Sequence, residues 1–245
     1  MLLEIAAFNF HSAVLAAQAG ADRIEICENT LEGGVTPSLG VVKVLKQLTS
    51  VPIFPMVRPR GGDFLYTMHE VEVMKHDIAL FKELGCEGVV LGVLTRDGSV
   101  DKAVLKELVE LASPMEVTFH RAFDRAKDPM AALEDIIEAG CNRILTSGQM
   151  PTAKEGMKRL HDLVAAARGR LVIMPGCGVT SQSIREIAEY TGATELHSAA
   201  KATERSAMDY KKPELNEDLN TVSVDVEEVR RMKAELRLAG NKAVV

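Results

Sequence analysis

Paired cysteines are missing from this chain. Its four cysteines, Cys27, Cys86, Cys141 and Cys177, are far apart and form no C-x-x-C pair, so neither a structural zinc site nor a disulfide framework is indicated, and a reducing cytoplasm is the expected compartment. An excess of positive charge is missing too. With a formal net charge of -6, the protein would be repelled at long range by nucleic acids and membrane surfaces, which are themselves anionic. No nucleic-acid or membrane partner is expected, and any anion it binds must be met by a local cluster of Arg or His. No apolar run approaches the roughly 18 residues of a membrane span. The opening "MLLEIAAFNFHSAV", with Glu4 and no early Lys or Arg, does not fit a secretory signal.

The composition, 47% apolar and 26% charged over 245 residues, is that of a globular chain long enough for one large core. Short strand-type runs alternate with longer amphipathic ones. The strand candidates are "LLEIAAF", "RIEIC", "VPIFPMV", "GVVLGVL", "MEVTFH", "RILTSG", "LVIMPG" and "ELHSAA". Helical patterns such as "EVEVMKHDIALFKELG" and "DPMAALEDIIEAG" lie between them. Eight βα units in about 250 residues predict an α/β fold of (β/α)8 TIM-barrel type, a single domain over residues 1–245. A doubly wound open sheet is the competing architecture. A long aperiodic segment at about 201–224 precedes the last helical pattern, "DVEEVRRMKAELRLAG", and suits a lid or an oligomer contact.

One phrase recurs. Gly20-Ala21-Asp22-Arg23-Ile24, Gly85-Cys86-Glu87-Gly88-Val89, Gly140-Cys141-Asn142-Arg143-Ile144 and Gly192-Ala193-Thr194-Glu195-Leu196 each set a helix-ending glycine before an even-numbered strand. Period two then puts Arg23, Gly88, Arg143 and Glu195 on the face opposite Ile24, Val89, Ile144 and Leu196. Helices cover the outside of a parallel barrel, so the charged face points inward. The predicted interior holds Glu4, Arg23, Glu25, Arg58, Glu116, His120, Arg143, Glu195 and His197. Low in the barrel, Glu116 and Glu195 are expected to balance Arg23 and Arg143, because unpaired buried charge costs several kcal/mol.

At the carboxyl ends of the strands, where barrel active sites lie, that explanation is weaker. In "VTFHRAFD", His120 and Arg121 fall at the tip of strand five. Arg58 holds the equivalent place on strand three and leads into "RPRGGDF", where Arg60 adds a second fork and Gly61 and Gly62 let the backbone approach a ligand. Strand seven runs into "PGCGVTSQSIREIAE", whose Gly176 and Gly178 precede a helix with Thr180 or Ser181 as candidate cap, a frequent phosphate site in barrels. In "LEGGVTPSLG", Thr36 is the expected cap and Pro37 the first helical residue. Cys27, at the mouth end of strand two, reads first as a small buried hydrophobe.

The segments "GADRIEIC", "EGGVTPSLGV", "RPRGGDFLY", "VTFHRAFD", "RILTSGQ" and "ATELHSAA" together resemble the CutC family of copper homeostasis proteins, from residue 2 to about 235. The resemblance implies a cytoplasmic, homo-oligomeric (β/α)8 barrel that handles copper and binds Cu(I). Arg58, Arg60, His120, Arg121, Ser147 and His197 match the family's pattern. The family's Cu(I) cysteines stand near the ends of the first two strands; the second is Cys27 here, while the first position is Ala6.

Three readings stand side by side. In the first, Cys27, with Cys177 or a methionine, coordinates Cu(I). In the second, Arg58, Arg60, Arg121, Ser147, Gly176 and Gly178 hold an anionic or phosphorylated small molecule while His120 or His197, with Glu25 as partner, moves a proton. In the third, the polar interior is only an ion-pair network within a non-catalytic oligomeric scaffold.

Overall fold

The structure, a computed structural model, describes residues 1–242. Eight parallel strands, β1 (Leu2–Ala7), β2 (Arg23–Ile26), β3 (Ile53–Pro55), β4 (Gly88–Leu91), β5 (Glu116–Phe119), β6 (Arg143–Thr146), β7 (Val172–Pro175) and β8 (Glu195–Ser198), coincide with the eight predicted runs. They alternate with α1 (Phe10–Ala19), α2 (Leu39–Leu48), α3 (Met68–Glu83), α4 (Lys102–Ala112), α5 (Pro129–Ala139), α6 (Met157–Ala167), α7 (Ile184–Thr191) and α8 (Val226–Lys242).

The strand order is that of a closed barrel rather than an open sheet. One set of four runs β3-β2-β1-β8 and the other β4-β5-β6-β7. A parallel bridge between Met56 and Val90 joins β3 to β4, and β7 lies against β8. The first and last strands of the ring are neighbours, with Glu4 in register with His197 and, on the other side, with Arg23. Local chemistry sets the units. Gly20, Gly140 and Gly192 end α1, α5 and α7 in the left-handed conformation, at φ 95°, 91° and 74°, which glycine adopts without a Cβ clash.

The outward faces of the even strands are packed under the helices: Ile24, Val89, Ile144 and Leu196 are each 0% exposed. Leu105 and Leu108 of α4, and Ile184 and Ile187 of α7, meet that shell from outside. Each such side chain contributes about 1.5–3 kcal/mol by leaving water.

The inward face is filled differently. Phe54 of β3 lies in the space that Gly88 leaves, since a Cβ on Gly88 would stand 2.1 Å from its ring. The Arg23 and Arg143 guanidiniums lie 4.9 and 5.2 Å from the Phe54 ring centroid, a cation–π arrangement that desolvation strengthens. Both guanidiniums donate to Glu195 Oε2, at 2.6 and 3.1 Å. Arg143 also donates to Glu116, and Arg23 Nε to Glu4 Oε2. The expected pairing is present, with Glu4 as a further member.

Two helix starts differ from expectation. Ser38, not Thr36, caps α2, accepting Val41 N–H at 3.3 Å; Thr36 Oγ1 instead accepts Arg58 N–H at 2.9 Å. After Gly178 a turn intervenes, so α7 begins at Ile184 behind Ser183 rather than behind Thr180 or Ser181. The segment expected as a long loop carries an antiparallel ribbon, β9 (Lys201–Glu204) against β10 (Thr221–Val224). Asn9 Nδ2, at the start of α1, donates to Val222 O at 2.6 Å and ties that ribbon to the barrel. Among the described residues no helix is long and apolar enough to cross a membrane.

Candidate functional site at the barrel mouth

The carboxyl ends of the strands open into a cavity of about 980 Å³, whose walls include Glu25, Met56, Arg58, His120, Arg121 and His197. Strand direction explains why these residues meet: each stands at or just beyond the last inward position of its strand.

His120 follows β5. Its Nδ1 accepts the Ala122 N–H at 3.2 Å, which leaves the proton on Nε2. Nε2 has no hydrogen-bond partner among the described residues. Burial first, and the nearby Arg58 charge second, hold its pKa down at about 3, so the ring is neutral. Phe64 packs 4.8 Å from it, centroid to centroid. Gly92 makes the room, since a Cβ there would fall 2.5 Å from Nδ1.

His197, on β8, is shifted the other way. Its Nδ1 lies 2.7 Å from Glu4 Oε1. Burial works against charge on the ring, but Glu25 and Glu4 outweigh it and raise the pKa. Burial alone would raise the pKa of Glu4; Arg23 and His197 instead bring it down to about 2. Among the described residues no guanidinium pairs with Glu25, and burial raises its pKa, only partly offset by His197. Its Oε1 accepts the Cys27 thiol at 3.2 Å, while Oε2 has no partner among the described residues. Cys27 is 0% exposed, packed with Phe54, Met56 and Val90. Burial, then the Glu25 charge, push its thiol well above the usual range.

The arginines do not converge as the sequence suggests. Arg58 is buried and spends its fork on backbone carbonyls, Nη1 donating to Glu32 O and Gly34 O at 2.6 and 2.8 Å and Nη2 to Gly62 O at 2.9 Å. Arg60 turns away from the cavity to Glu70, Asp63 and the Leu65 carbonyl. Gly61 and Gly62 admit the chain's own Glu32 carboxylate, which accepts Gly62 N–H at 3.1 Å. Arg121 does reach the rim, paired with Asp124 at 2.8 Å and 3.4 Å from Ser147 Oγ. Asp124 also accepts the Thr146 hydroxyl and the backbone N–H groups of Ser147 and Gln149.

Beyond β7, Gly176 makes room for Leu145 and the His197 ring, and Gly178 takes φ 70°. The exposed amide expected there as a phosphate cradle is already used. Ser181 N–H and Oγ both donate to Glu228 of α8, at 2.7 and 2.8 Å. Cys177, on the cavity wall, takes the left-handed conformation at φ 78°, and its thiol donates to Pro151 O at 3.2 Å. Sequence reasoning missed three participants: Glu228, which arrives from the distant α8, Asp124, and the Glu4–His197 contact. The last two left signals, Asp124 standing three residues after Arg121 at the end of the VTFHRAFD run and Glu4 taking an inward period-two position on β1.

The CutC family profile matches residues 1–202. The mouse "Copper homeostasis protein cutC homolog" is 50% identical over 210 residues, covering 86% of this chain and 77% of the mouse protein. A CutC family protein of Parabacteroides distasonis is 46% identical over 237 residues, 96% of this chain and 98% of its own. A crystal structure described as a copper homeostasis protein CutC from Streptococcus agalactiae superposes with a TM-score of 0.78 at 32% identity, covering 81% of this chain and 98% of that one. With the family profile matched over most of the chain and relatives 46–50% identical over more than three quarters of their own length, the chain belongs to the CutC family and is a homologue of the copper homeostasis protein CutC.

Proposed function

We propose that the protein serves copper homeostasis, the role for which its mammalian relatives are named, by taking Cu(I) on Cys27 beneath the mouth cavity. The observation that carries this reading is the company of the Cys27 sulfur. A point beside Gly34 lies 3.1 Å from Cys27 Sγ and 3.6 Å from the Met56 Cε methyl, and Met56 packs in the same buried cluster as Cys27, so its thioether is carried by a neighbouring flexible side chain. Soft sulfur donors select Cu(I). Ala6 supplies no second thiolate, and the Cys27 proton must leave when metal arrives, so the fit is to one thiolate and one thioether rather than to a thiolate pair. The test is a Cu(I) competition titration of reduced protein against a chelator of known affinity, with Cys27→Ala alongside. Tight binding lost in the variant supports the site; equal, weak binding in both proteins removes it.

A second reading is favoured by the unpaired groups at the cavity floor. Glu25, with its raised pKa, and His197 face the cavity, and His120 holds an unused Nε2–H. Such a set can transfer a proton to or from a bound small molecule. Arg121 on the rim is the remaining anion contact, since Arg58, Arg60 and the turn after Gly178 are already engaged and the buried Ser147 hydroxyl donates to Asp124 and Met150 O. A thermal-shift screen of carboxylated and phosphorylated metabolites tests it. Stabilisation that disappears in Arg121→Ala supports an anionic substrate, and a screen with no hit counts against one.

A further inference from the structure

We propose that Glu4, Glu25 and His197 form a site for a divalent first-row cation of the manganese, iron or zinc type, separate in its ligands from the Cu(I) reading of Cys27. One ligating atom from each of the three residues lies within 4.8 Å of the other two. Ligand atoms around an ion with bonds of about 2.1 Å stand roughly 3–4.2 Å apart, so small side-chain movements bring the three onto one ion. All three side chains are buried, at 0%, 3% and 7% exposure. They come from β1, β2 and β8, adjacent strands of a rigid barrel.

A second observation, independent of the clustering, points to a ligand. Glu25 Oε2 is buried and without a hydrogen-bond partner among the described residues, while its other oxygen takes the Cys27 thiol. Buried carboxylate oxygens are rarely left unsatisfied, because desolvation is not repaid. Glu25 and His197 also line the cavity, so an ion has a path from solvent. Glu4 is oriented from behind by Arg23, the kind of support that fixes a metal ligand.

Donor chemistry chooses the ion. Two carboxylates and an imidazole are hard to borderline ligands, suited to divalent cations and poorly suited to Cu(I). On binding, the ion takes the place of the hydrogen bond between His197 Nδ1 and Glu4 Oε1. With three protein ligands, further positions face the cavity, where water or a chelating small molecule would complete the shell.

The test is a Mn(II) titration of the full chain followed by the loss of the free-ion electron paramagnetic resonance signal, with melting temperatures recorded alongside. One Mn(II) per chain is expected, with a rise in melting temperature and displacement by Zn(II). Glu25→Gln and His197→Asn should each weaken binding at least about tenfold and abolish the rise. The metal-free melting curve reports whether each variant is folded, and the near-isosteric Glu25→Gln keeps the comparison usable if His197→Asn is not. Mn(II) left free by the wild type, or bound equally by the wild type and a folded Glu25→Gln, overturns the site. No copper enters the titration and Cys27 is not a ligand, so its result is independent of the Cu(I) measurement.

Discussion

The lower layer of the barrel interior and the floor of its mouth are built from the same residue types and reach opposite ends. Below, Arg23 and Arg143 share Glu195, draw in Glu4 and Glu116, and both lie against the Phe54 ring. Above, Glu25 Oε2, His120 Nε2 and Arg58 Nε are buried with no partner among the described residues. A satisfied buried network holds a fold in one arrangement, whereas an incomplete one is a standing cost that a ligand can relieve. The difference separates what holds the barrel from what the barrel holds.

The sharpest break in that contrast comes from the lower layer. Glu195→Ala leaves two buried guanidiniums short of their shared carboxylate and should cost about 3–5 kcal/mol in urea denaturation. Gly88→Val drives a side chain into Phe54 and should cost roughly 3 kcal/mol, measured the same way. A loss near zero in either would mean that the layer is not the structural element described.

The mouth should respond to pH instead. His120 has a pKa of about 3 when folded against 6.5 for the unperturbed group. Its folded value is depressed, so the unfolded chain binds the proton first. The associated stability is therefore present above 6.5 and lost as pH falls from 6.5 towards 3. His120 by itself accounts for a loss of roughly 2 kcal/mol by pH 5. The contribution of His197, whose pKa is raised, is largely present already below 6.5, while Glu25, raised above 4.5, adds stability as pH falls towards 4.5 and opposes the His120 loss. Glu4, lowered to about 2, adds its own loss only below 4.5. His120→Asn keeps an acceptor for Ala122 N–H without a titrating ring, and its urea midpoint should change much less between pH 6.5 and 5. The smallest effect is expected at Glu25→Gln, whose metal-free stability should stay within about 1 kcal/mol of wild type, since the near-isosteric amide keeps an oxygen for the Cys27 thiol and removes no ion pair with a guanidinium among the described residues. A large loss there would place Glu25 with the lower layer and erase the distinction.

Much of this contrast is legible in the residue pattern. The four repeated Gly phrases locate the even strands, and period two sorts Arg23, Arg143 and Glu195 inward and Ile24, Ile144 and Leu196 outward. Helix starts are less legible: Thr36 and Ser38 are both competent caps two residues apart, and only packing of the preceding loop gives Thr36 to the Arg58 backbone. Arg58 and Arg60 are engaged by the chain itself, and their partners, the carbonyls of Glu32, Gly34 and Gly62 and the carboxylate of Glu70, are set by loop geometry that no periodicity records.

By itself, the sequence determined the (β/α)8 architecture and family membership of this protein and which side chains face inward. These rest on local pattern, capping glycines and strand alternation, which act over a few residues. Only the tertiary structure decided which inward charges are paired. Closing β1 against β8 sets Glu4 beside His197 across 193 positions of chain, and α8 carries Glu228 into the turn where a phosphate was expected. Contacts at that separation depend on ring closure and helix docking, so the same buried acids and bases could be a finished network or an open site until the barrel shut.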